Sequence, residues 1–299
     1  MGPNEFPDIE DVANAARAGS KVLAAIGKVF PGWAANSLGK AESRETDRIL
    51  NDLGKIKAQQ NNLGLADETV SELMTNAVRR HNRNVNFNGI VKLATSEISD
   101  EANPGDIDPE WAENFRDHAE KVSTKEVQQV WAKMLAGEIN KPGSFSKRTM
   151  SILADMSAYE CEAFAKLCSF SIASPNSNMP PLVVLYEKKD VPDFNDGAFT
   201  YDERSSLEAL GLIDCGLIRN LTLEKGGKLL FNIGSLTIEI TNNTDSKRKL
   251  GFSPLLTRFG CELASICKLG NGNQLHEYLT AMAIEQGFDC ESKPAAPSA

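Results

Sequence analysis

The chain has 299 residues, of which 41% are hydrophobic and 24% are charged, and its net charge at pH 7 is −9. This composition is typical of a soluble globular protein with two domains. The negative charge argues against a chain that coats nucleic acid over its whole surface, although a local basic patch stays open because recognition depends on where the charges lie.

The first periodic segment is SKVLAAIGKVFPGW, residues 20–33. Its apolar residues follow helical spacing, and the Pro-Gly pair near its end stops the helix. A short amphipathic helix of this kind could lie on a membrane surface or pack against its own protein. Because only Lys21 and Lys28 flank the apolar stripe, we favour packing within the protein, and a membrane surface is the weakest candidate partner.

A long helix is predicted from Asp67 to about Ser99 by apolar residues at helical spacing. Its middle, AVRRHNRNVNFNGI, is weakly apolar and carries Arg79, Arg80 and Arg83. Because consecutive residues spread around a helix, these arginines predict a broad basic band. The band is interpreted either as a solvated face balanced by glutamates near the helix start, which we favour, or as a site for an anion or a partner.

Four short helices are predicted over residues 108–170, each with its own start signal. The expected capping residues are Asp108, Ser123 with Glu126, Ser146, and Ser157 with Glu160. Trp111 and Trp131 lie on the apolar stripes of the first two helices. They are therefore predicted core residues.

The corner between the second and third of these helices, residues 141–149, combines a Pro-Gly stop with serines and cations. Its candidate anion- or partner-binding residues are Gly143, Ser144, Lys147 and Arg148. It lacks the Gly-x-x-x-x-Gly-Lys-Ser/Thr pattern of a phosphate-binding loop. The favoured alternative is an inter-helix corner in which Phe145 packs, Ser146 caps the next helix and Arg148 pairs with Glu138.

The pattern changes from helices to strands after residue 170. We predict an α+β fold class, with an all-helical domain over residues 1–172, a linker at 173–181, a smaller α+β domain over 182–290 and a disordered tail at 291–299. The segments KLLFNIG and SLTIEIT predict two paired strands. Together with the helices on either side, this strand pair is compatible with a winged-helix-like module.

The basic residues Lys247, Arg248 and Lys249 are predicted to lie at the hairpin tip of that module. A wing contacts the DNA backbone at this place, so the three residues are candidates for nucleic-acid binding. Hairpin tips also carry charge for solubility, and lysines at sheet edges block aggregation. For an acidic chain, a protein-interaction version of the module is favoured.

No catalytic residues, metal ligands or cofactor site are predicted. A serine nucleophile needs a nearby base, and the chain has three histidines and no Gly-x-Ser-x-Gly motif. The six cysteines form no Cys-x-x-Cys pair and no zinc-finger spacing. Since the start of the chain also lacks a secretory signal pattern, we expect free thiols in the cytoplasm.

Residues 108–164 carry a distinctive series of motifs, namely D-x-x-W-x-x-x-F, Q-x-x-W-A-x-x-L-A-G-E and P-G-S-F-S-x-R-T. They begin at Asp108, Gln128 and Pro142. The series resembles an uncharacterised bacterial family that is similar to abortive-infection alpha-type proteins. This resemblance implies a role in defence against phage and supplies no catalytic residue.

From these observations the predicted function is that of a non-enzymatic intracellular bacterial protein. It would be a sensor or effector in phage defence that acts through contacts with a protein partner or by self-association. The first alternative is a nucleic-acid-binding module that uses the winged-helix-like domain. The second is an effector at a membrane surface.

Overall fold

The structure is a computed structural model that describes residues 26–30, 51–62, 64, 66–99, 102, 107–174, 179–185, 199–270 and 272–295. The chain divides into two compact units, Met1–Ser151 and Ile152–Ala299. Helices fill the described part of the first half, and small sheets lie in the C-terminal part. The predicted α+β class is confirmed, whereas the predicted domain boundaries stay predictions.

Helical residues 26–29 and 51–59 come first in the described part of the chain, and the other helices follow them. They are α1 (Asp67–Ala94), α2 (Pro109–Ala119), α3 (Lys125–Asn140), α4 (Lys147–Asp155), α5 (Ala158–Ser169), α6 (Tyr201–Ala209), α7 (Arg258–Ala264) and α8 (Asn273–Glu285). A short 3₁₀ turn, Thr95–Glu97, follows α1. The long helix predicted from Asp67 and the four short helices predicted over residues 108–170 are confirmed.

The strands all pair antiparallel within the part of the chain that the structure describes. They are β1 (Ser171–Ile172), β2 (Leu182–Val183), β3 (Ile213–Asp214), β4 (Arg219–Leu223), β5 (Lys228–Ile233), β6 (Leu236–Thr241), β7 (Arg248–Phe252), β8 (Leu255–Leu256) and β9 (Asp289–Pro294). Three two-stranded sheets pair β1 with β2, β3 with β8, and β4 with β7, and the fourth sheet has the order β5-β6-β9.

The first unit is built around packed aromatic rings. The Phe115 ring lies 5.2 Å from that of Trp111 and 5.4 Å from that of Trp131, between ring centroids. Phe30 packs against Phe87 at 5.0 Å with its ring edge-on. All five rings are buried, so both tryptophans lie in the core as predicted. Phe30 therefore packs within the first unit, whereas residues 20–25 and 31–33 of its predicted segment lie outside the described residues.

Local capping chemistry fixes most helix starts in residues 108–170. Asp108 accepts a hydrogen bond from the Glu110 amide, and Ser157 forms the predicted capping box with Glu160. The capping box predicted at Ser123 is wrong. The N-cap of α3 is Thr124, which makes no side-chain cap hydrogen bond, and Glu126 then falls one position short of the place from which a capping box reaches back.

The second unit buries an apolar face of its sheets against α8. Along β5 and β6 the buried residues alternate with exposed or half-buried ones, at Phe231, Ile233, Ile238 and Ile240. This two-residue period is typical of a sheet that is covered on one face. The pairing predicted for KLLFNIG and SLTIEIT is confirmed, because β5 and β6 form a hairpin.

The predicted position of the basic residues at a hairpin tip is wrong. The turn of the β5–β6 hairpin is Gly234 and Ser235, whereas Arg248 and Lys249 begin β7, which pairs with β4. Part of the predicted disordered tail also differs from the structure, because residues 291–294 belong to β9 and pair with β6, whereas residues 296–299 lie outside the described residues. Their polar composition fits a strand that leaves most of its side chains exposed.

Glu203 in α6 gives the second unit a predicted sensitivity to acid. Burial opposes the charge on Glu203, but hydrogen bonds from the Thr200 amide (2.6 Å) and the Lys166 ammonium (3.0 Å) outweigh it, so its pKa is lowered. A lowered pKa contributes stability above the unfolded-state value, about 4.3 for glutamate, and this stability is lost as the pH falls through the folded-state pKa.

We therefore expect the melting temperature of the wild-type protein to fall more steeply below about pH 4.3 than that of Glu203→Gln. The measurement is thermal unfolding by circular dichroism at a series of pH values. Glu162→Gln, at an exposed position of α5, is the control and should keep the wild-type profile. Identical acid profiles for Glu203→Gln and the wild type would contradict the assignment.

Candidate anion-binding site

One face of α1 carries a stripe of polar side chains. The stripe consists of Asn76, Arg79, Arg80, Arg83 and Asn84. Each position follows the one before it by three, one, three and one places in the sequence, so the helical period puts them on one side of α1 over two turns. At about 1.5 Å per residue, the stripe is about 12 Å long. The three predicted arginines therefore share one face of the helix.

Helix α2 supplies the second wall of a groove along this stripe. Arg116 and Glu120 line the groove together with the α1 residues, and its volume is about 600 Å³. Glu120 is the C-cap residue of α2 and follows Arg116 by four residues, so both side chains lie on the same side of that helix. The arginine groove, as we call these seven residues, thus holds four guanidinium groups, one carboxylate and two side-chain amides.

Two of the four guanidinium groups are held by the protein itself. Arg83 Nη1 lies 3.2 Å from Glu120 Oε1, and the Glu120 backbone carbonyl accepts a hydrogen bond from Asn86. The Arg116 guanidinium lies over the Phe87 ring, 5.3 Å from its centroid. Such cation–π packing orients the group without neutralising its charge.

The other two guanidinium groups are exposed. Arg79 Nη1 lies 3.4 Å from Asn76 Oδ1, a long contact with a neutral partner. Within the part of the chain that the structure describes, Arg80 makes no ion pair or hydrogen bond. The counter-ion that the structure places in the groove is Glu120, and no described ion pair joins these arginines to Glu68 or Glu72. The groove is therefore strongly positive.

The corner at residues 141–149 is organised by the carboxylate of Glu138. This side chain is 2% exposed, and its two oxygens accept hydrogen bonds from the amides of Gly143 (2.6 Å) and Phe145 (2.9 Å). The φ angle of Gly143 is +83°, a conformation that favours glycine. The Gly143 amide therefore faces an internal carboxylate.

Packing and capping complete the same corner. The indole nitrogen of Trp111 donates a hydrogen bond to the Phe145 carbonyl (2.8 Å), and the Phe145 ring is buried. Ser146 accepts a hydrogen bond from the Thr149 amide, as predicted for a cap. These contacts match the inter-helix corner among the alternatives that the sequence leaves open.

The other candidate residues of the corner lie at its surface or have internal partners. Ser144 Oγ donates a hydrogen bond to the Lys141 carbonyl (2.6 Å). The Lys147 ammonium lies 2.5 Å from Glu110, and this hydrogen bond raises the pKa of Lys147. Arg148 is exposed. None of the candidates at 143–148 is among the residues that line the arginine groove.

The close approach of Gly137 and Phe145 gives a prediction for two glycines. A Cβ atom on Gly137 would lie 2.8 Å from the Phe145 ring, whereas one on Gly54 would meet nothing within 4 Å. We expect Gly137→Ala to destabilise the protein by about 1–3 kcal/mol through overpacking. Gly54→Ala should stabilise a helix by about 0.5–1 kcal/mol. Urea denaturation measures the change in the free energy of unfolding for both variants. If the two changes had the same sign, the close contact between Gly137 and Phe145 would be contradicted.

The three basic residues near β7 have different surroundings. Lys247 Nζ lies 2.5 Å from a Glu224 carboxylate oxygen. Arg248 Nη1 donates hydrogen bonds to the carbonyls of Gln286 (2.9 Å) and Gly287 (3.1 Å), just after α8 ends. Arg248 thus satisfies carbonyl groups that the helix leaves without partners. Lys249 is exposed.

Four residues of the arginine groove were not predicted: Asn76, Asn84, Arg116 and Glu120. The asparagines could have been found, because both are four residues from Arg80 on the same helical stripe. The residues of α2 could not, because no local pattern shows which helix packs beside α1.

The described residues contain no group of three or more histidines, cysteines, aspartates or glutamates that could hold a metal ion. None of the described helices combines the length and the apolar character needed to cross a membrane.

Residues 74–283 match the model of a family described as protein of unknown function, DUF2806. The matched range includes every residue of the arginine groove and the whole corner at residues 141–149. No curated protein and no solved structure shows a significant match to the chain.

Proposed function

Because the chain belongs to the DUF2806 family, whose function is unknown, we propose a function from its own residues. It is a non-enzymatic protein that binds an anionic group in the arginine groove and acts through protein contacts. The observation that carries this proposal is the gathering of four arginines around one glutamate in a chain of net charge −9. Such a local reversal of charge is typical of a binding surface for anions.

The side chains of the groove are suited to holding an anion. Guanidinium groups stay protonated in proteins and present several N–H donors in a planar fork that matches carboxylate and phosphate oxygens. They are poor proton donors and acceptors for acid–base catalysis for the same reason. Glu120, the carboxylate of the groove, is engaged by Arg83. We therefore propose recognition as the task of the groove.

We place this recognition in bacterial phage defence, with the protein as an intracellular sensor or effector. The support is the resemblance of the motif series at residues 108–164 to the family similar to abortive-infection alpha-type proteins. In this proposal the anionic group is the signal, and a protein partner or a second copy of the chain receives it.

The test is a plaque assay in bacteria that express the protein with its neighbouring genes. We expect fewer plaques with the wild-type protein and restored plaque numbers with an Arg79→Gln, Arg80→Gln double variant. Lys92→Gln, an exposed substitution near the end of α1, should protect like the wild type. Unchanged plaque numbers over a broad phage panel would overturn the defence role, and full protection by the double variant would overturn the role of the groove.

Nucleic-acid binding by the second unit is the other candidate function. It is favoured by the exposed side chains of Lys247, just before β7, and Lys249, the second residue of that strand. We expect retention on a nucleic-acid column that falls with salt and weakens in the Lys247→Gln, Lys249→Gln variant. Arg248 is left unchanged, because it holds the end of α8. Retention that is absent, or insensitive to these substitutions, would remove this candidate.

A further inference from the structure

We infer that the arginine groove takes a small ligand with two or more adjacent phosphate groups, such as a nucleoside diphosphate. This inference rests on the proposed function, since it names the chemical class of the anionic group that the groove recognises.

The charge of the groove lies mainly on guanidinium groups that form no ion pair. Among the described residues, Arg79, Arg80 and Arg116 make none, and Arg79 and Arg80 are neighbours on α1. Arg116 keeps its charge while it lies over Phe87. A compact ligand with several negative charges can engage these guanidinium groups together, whereas an isolated carboxylate can engage one or two. Phosphate oxygens also accept the paired N–H donors of a guanidinium group in a bidentate geometry.

A long nucleic acid fits the groove less well than a small ligand does. The groove is about 12 Å long at about 1.5 Å per residue, and the net charge of the whole chain is −9. A long polyanion would extend beyond the groove and meet the acidic remainder of the surface. A small ligand stays within about 10 Å of the arginines, where salt screens their attraction least. None of the described residues that line the groove is aromatic, so it offers no row of platforms on which successive bases of a nucleic acid could stack.

An acidic peptide also fits the groove less well than a small phosphate ligand does. Peptide-binding surfaces gain most of their affinity from buried apolar or aromatic anchors. The described residues that line the groove are all asparagine, arginine or glutamate. The amides of Asn76 and Asn84 lie on the α1 stripe to either side of the central arginines and can hydrogen-bond hydroxyl groups. They therefore favour a phosphate ligand that also carries a sugar.

Glu120, the acidic residue of the groove, opposes the binding of an anion. Its carboxylate lies 3.2 Å from Arg83, so an incoming anion meets its repulsion and competes with it for that guanidinium group. Replacing Glu120 by glutamine removes the negative charge and frees Arg83. A groove built for an anionic ligand should then bind that ligand more tightly, which is an effect that a purely structural role would not produce.

The experiment is isothermal titration of the full-length protein with orthophosphate, pyrophosphate and ADP. We expect pyrophosphate and ADP to bind at least about tenfold more tightly than orthophosphate, because a second phosphate adds charge-assisted hydrogen bonds. Arg80→Gln should weaken ADP binding by about tenfold and Glu120→Gln should strengthen it. Lys92→Gln removes a positive charge, as Arg80→Gln does, and Glu113→Gln removes a negative charge, as Glu120→Gln does. Both control positions are exposed and lie outside the groove, so both variants should bind ADP like the wild type.

Other outcomes separate the inference from the proposed function. Equal affinity for orthophosphate and pyrophosphate, or no strengthening by Glu120→Gln, overturns the diphosphate ligand. Binding of duplex DNA or an acidic peptide that depends on Arg80, without binding of pyrophosphate or ADP, also overturns it but leaves the anion-binding groove in place. If no anion binds in an Arg80-dependent manner, both fail. Thermal melts of each variant confirm that it is folded.

Discussion

Replacing Glu138 by alanine is expected to lower the free energy of unfolding by about 2–5 kcal/mol. The carboxylate is buried in α3 and accepts the amides of Gly143 and Phe145. Its removal leaves both donors without that partner. Each buried donor that loses its partner costs about 1–3 kcal/mol. Urea denaturation followed by far-ultraviolet circular dichroism measures the loss.

Two variants of α3 sharpen this prediction. Glu126→Ala removes a carboxylate from an exposed position of the same helix and should change the stability by less than about 0.5 kcal/mol. The stability of Glu138→Gln should fall between those of the wild type and the alanine variant. The glutamine amide keeps one acceptor oxygen, but its NH₂ group places a donor where the second carboxylate oxygen accepted a hydrogen bond. If Glu138→Ala and Glu126→Ala were equally stable, the carboxylate would not hold the corner.

The same carboxylate shows where sequence reasoning succeeds and where it stops. The helix stop at residues 141–143, the buried Phe145 and the cap at Ser146 follow from local chemistry, and all three were predictable. The sequence suggested Arg148 as the partner of Glu138, but the structure brings the amides of Gly143 and Phe145 to it. Backbone amides carry no sequence signature, so a side chain that binds them is easily assigned to the nearest opposite charge.

The second unit shows which strand pairings can be predicted from the sequence and which cannot. The hairpin of β5 and β6 is predictable, because its strands are neighbours in the sequence and alternate in polarity. The pairing of β4 with β7 and of β6 with β9 joins distant segments. Local patterns do not identify such partners, and so the predicted hairpin tip and the predicted disordered tail were both misplaced.

The arginine groove depends partly on local sequence spacing and partly on tertiary packing. Its α1 wall follows from helical spacing, because Arg79, Arg80 and Arg83 recur on one stripe with asparagines four residues before and after Arg80. Its α2 wall depends on tertiary packing, which places Arg83 beside Glu120 and Arg116 over the Phe87 ring. The sequence could therefore predict a basic surface, but the groove and its internal counter-ion required the fold.

Trp131→Ala is the other substitution with a large expected effect, a loss of about 3–5 kcal/mol in the free energy of unfolding. The side chain is fully buried, and its ring packs edge-on against Phe115 and lies 6.1 Å from His118. Truncation removes the transfer free energy of the indole and leaves a cavity that the surrounding helices can fill only in part. Chemical denaturation followed by circular dichroism tests it, with Tyr201→Ala, at an 82% exposed position, as the control.

The variants Trp111→Phe and Trp131→Phe separate the contribution of packing from that of hydrogen bonding in the same core. Trp111 donates its indole N–H to the Phe145 carbonyl, whereas the indole N–H of Trp131 has no hydrogen-bond partner among the described residues. Both variants lose a similar ring volume, but Trp111→Phe also leaves a buried carbonyl without its donor, at a cost of about 1–3 kcal/mol. Trp111→Phe should therefore be the less stable of the two, and the reverse order would show that the corner does not depend on that hydrogen bond.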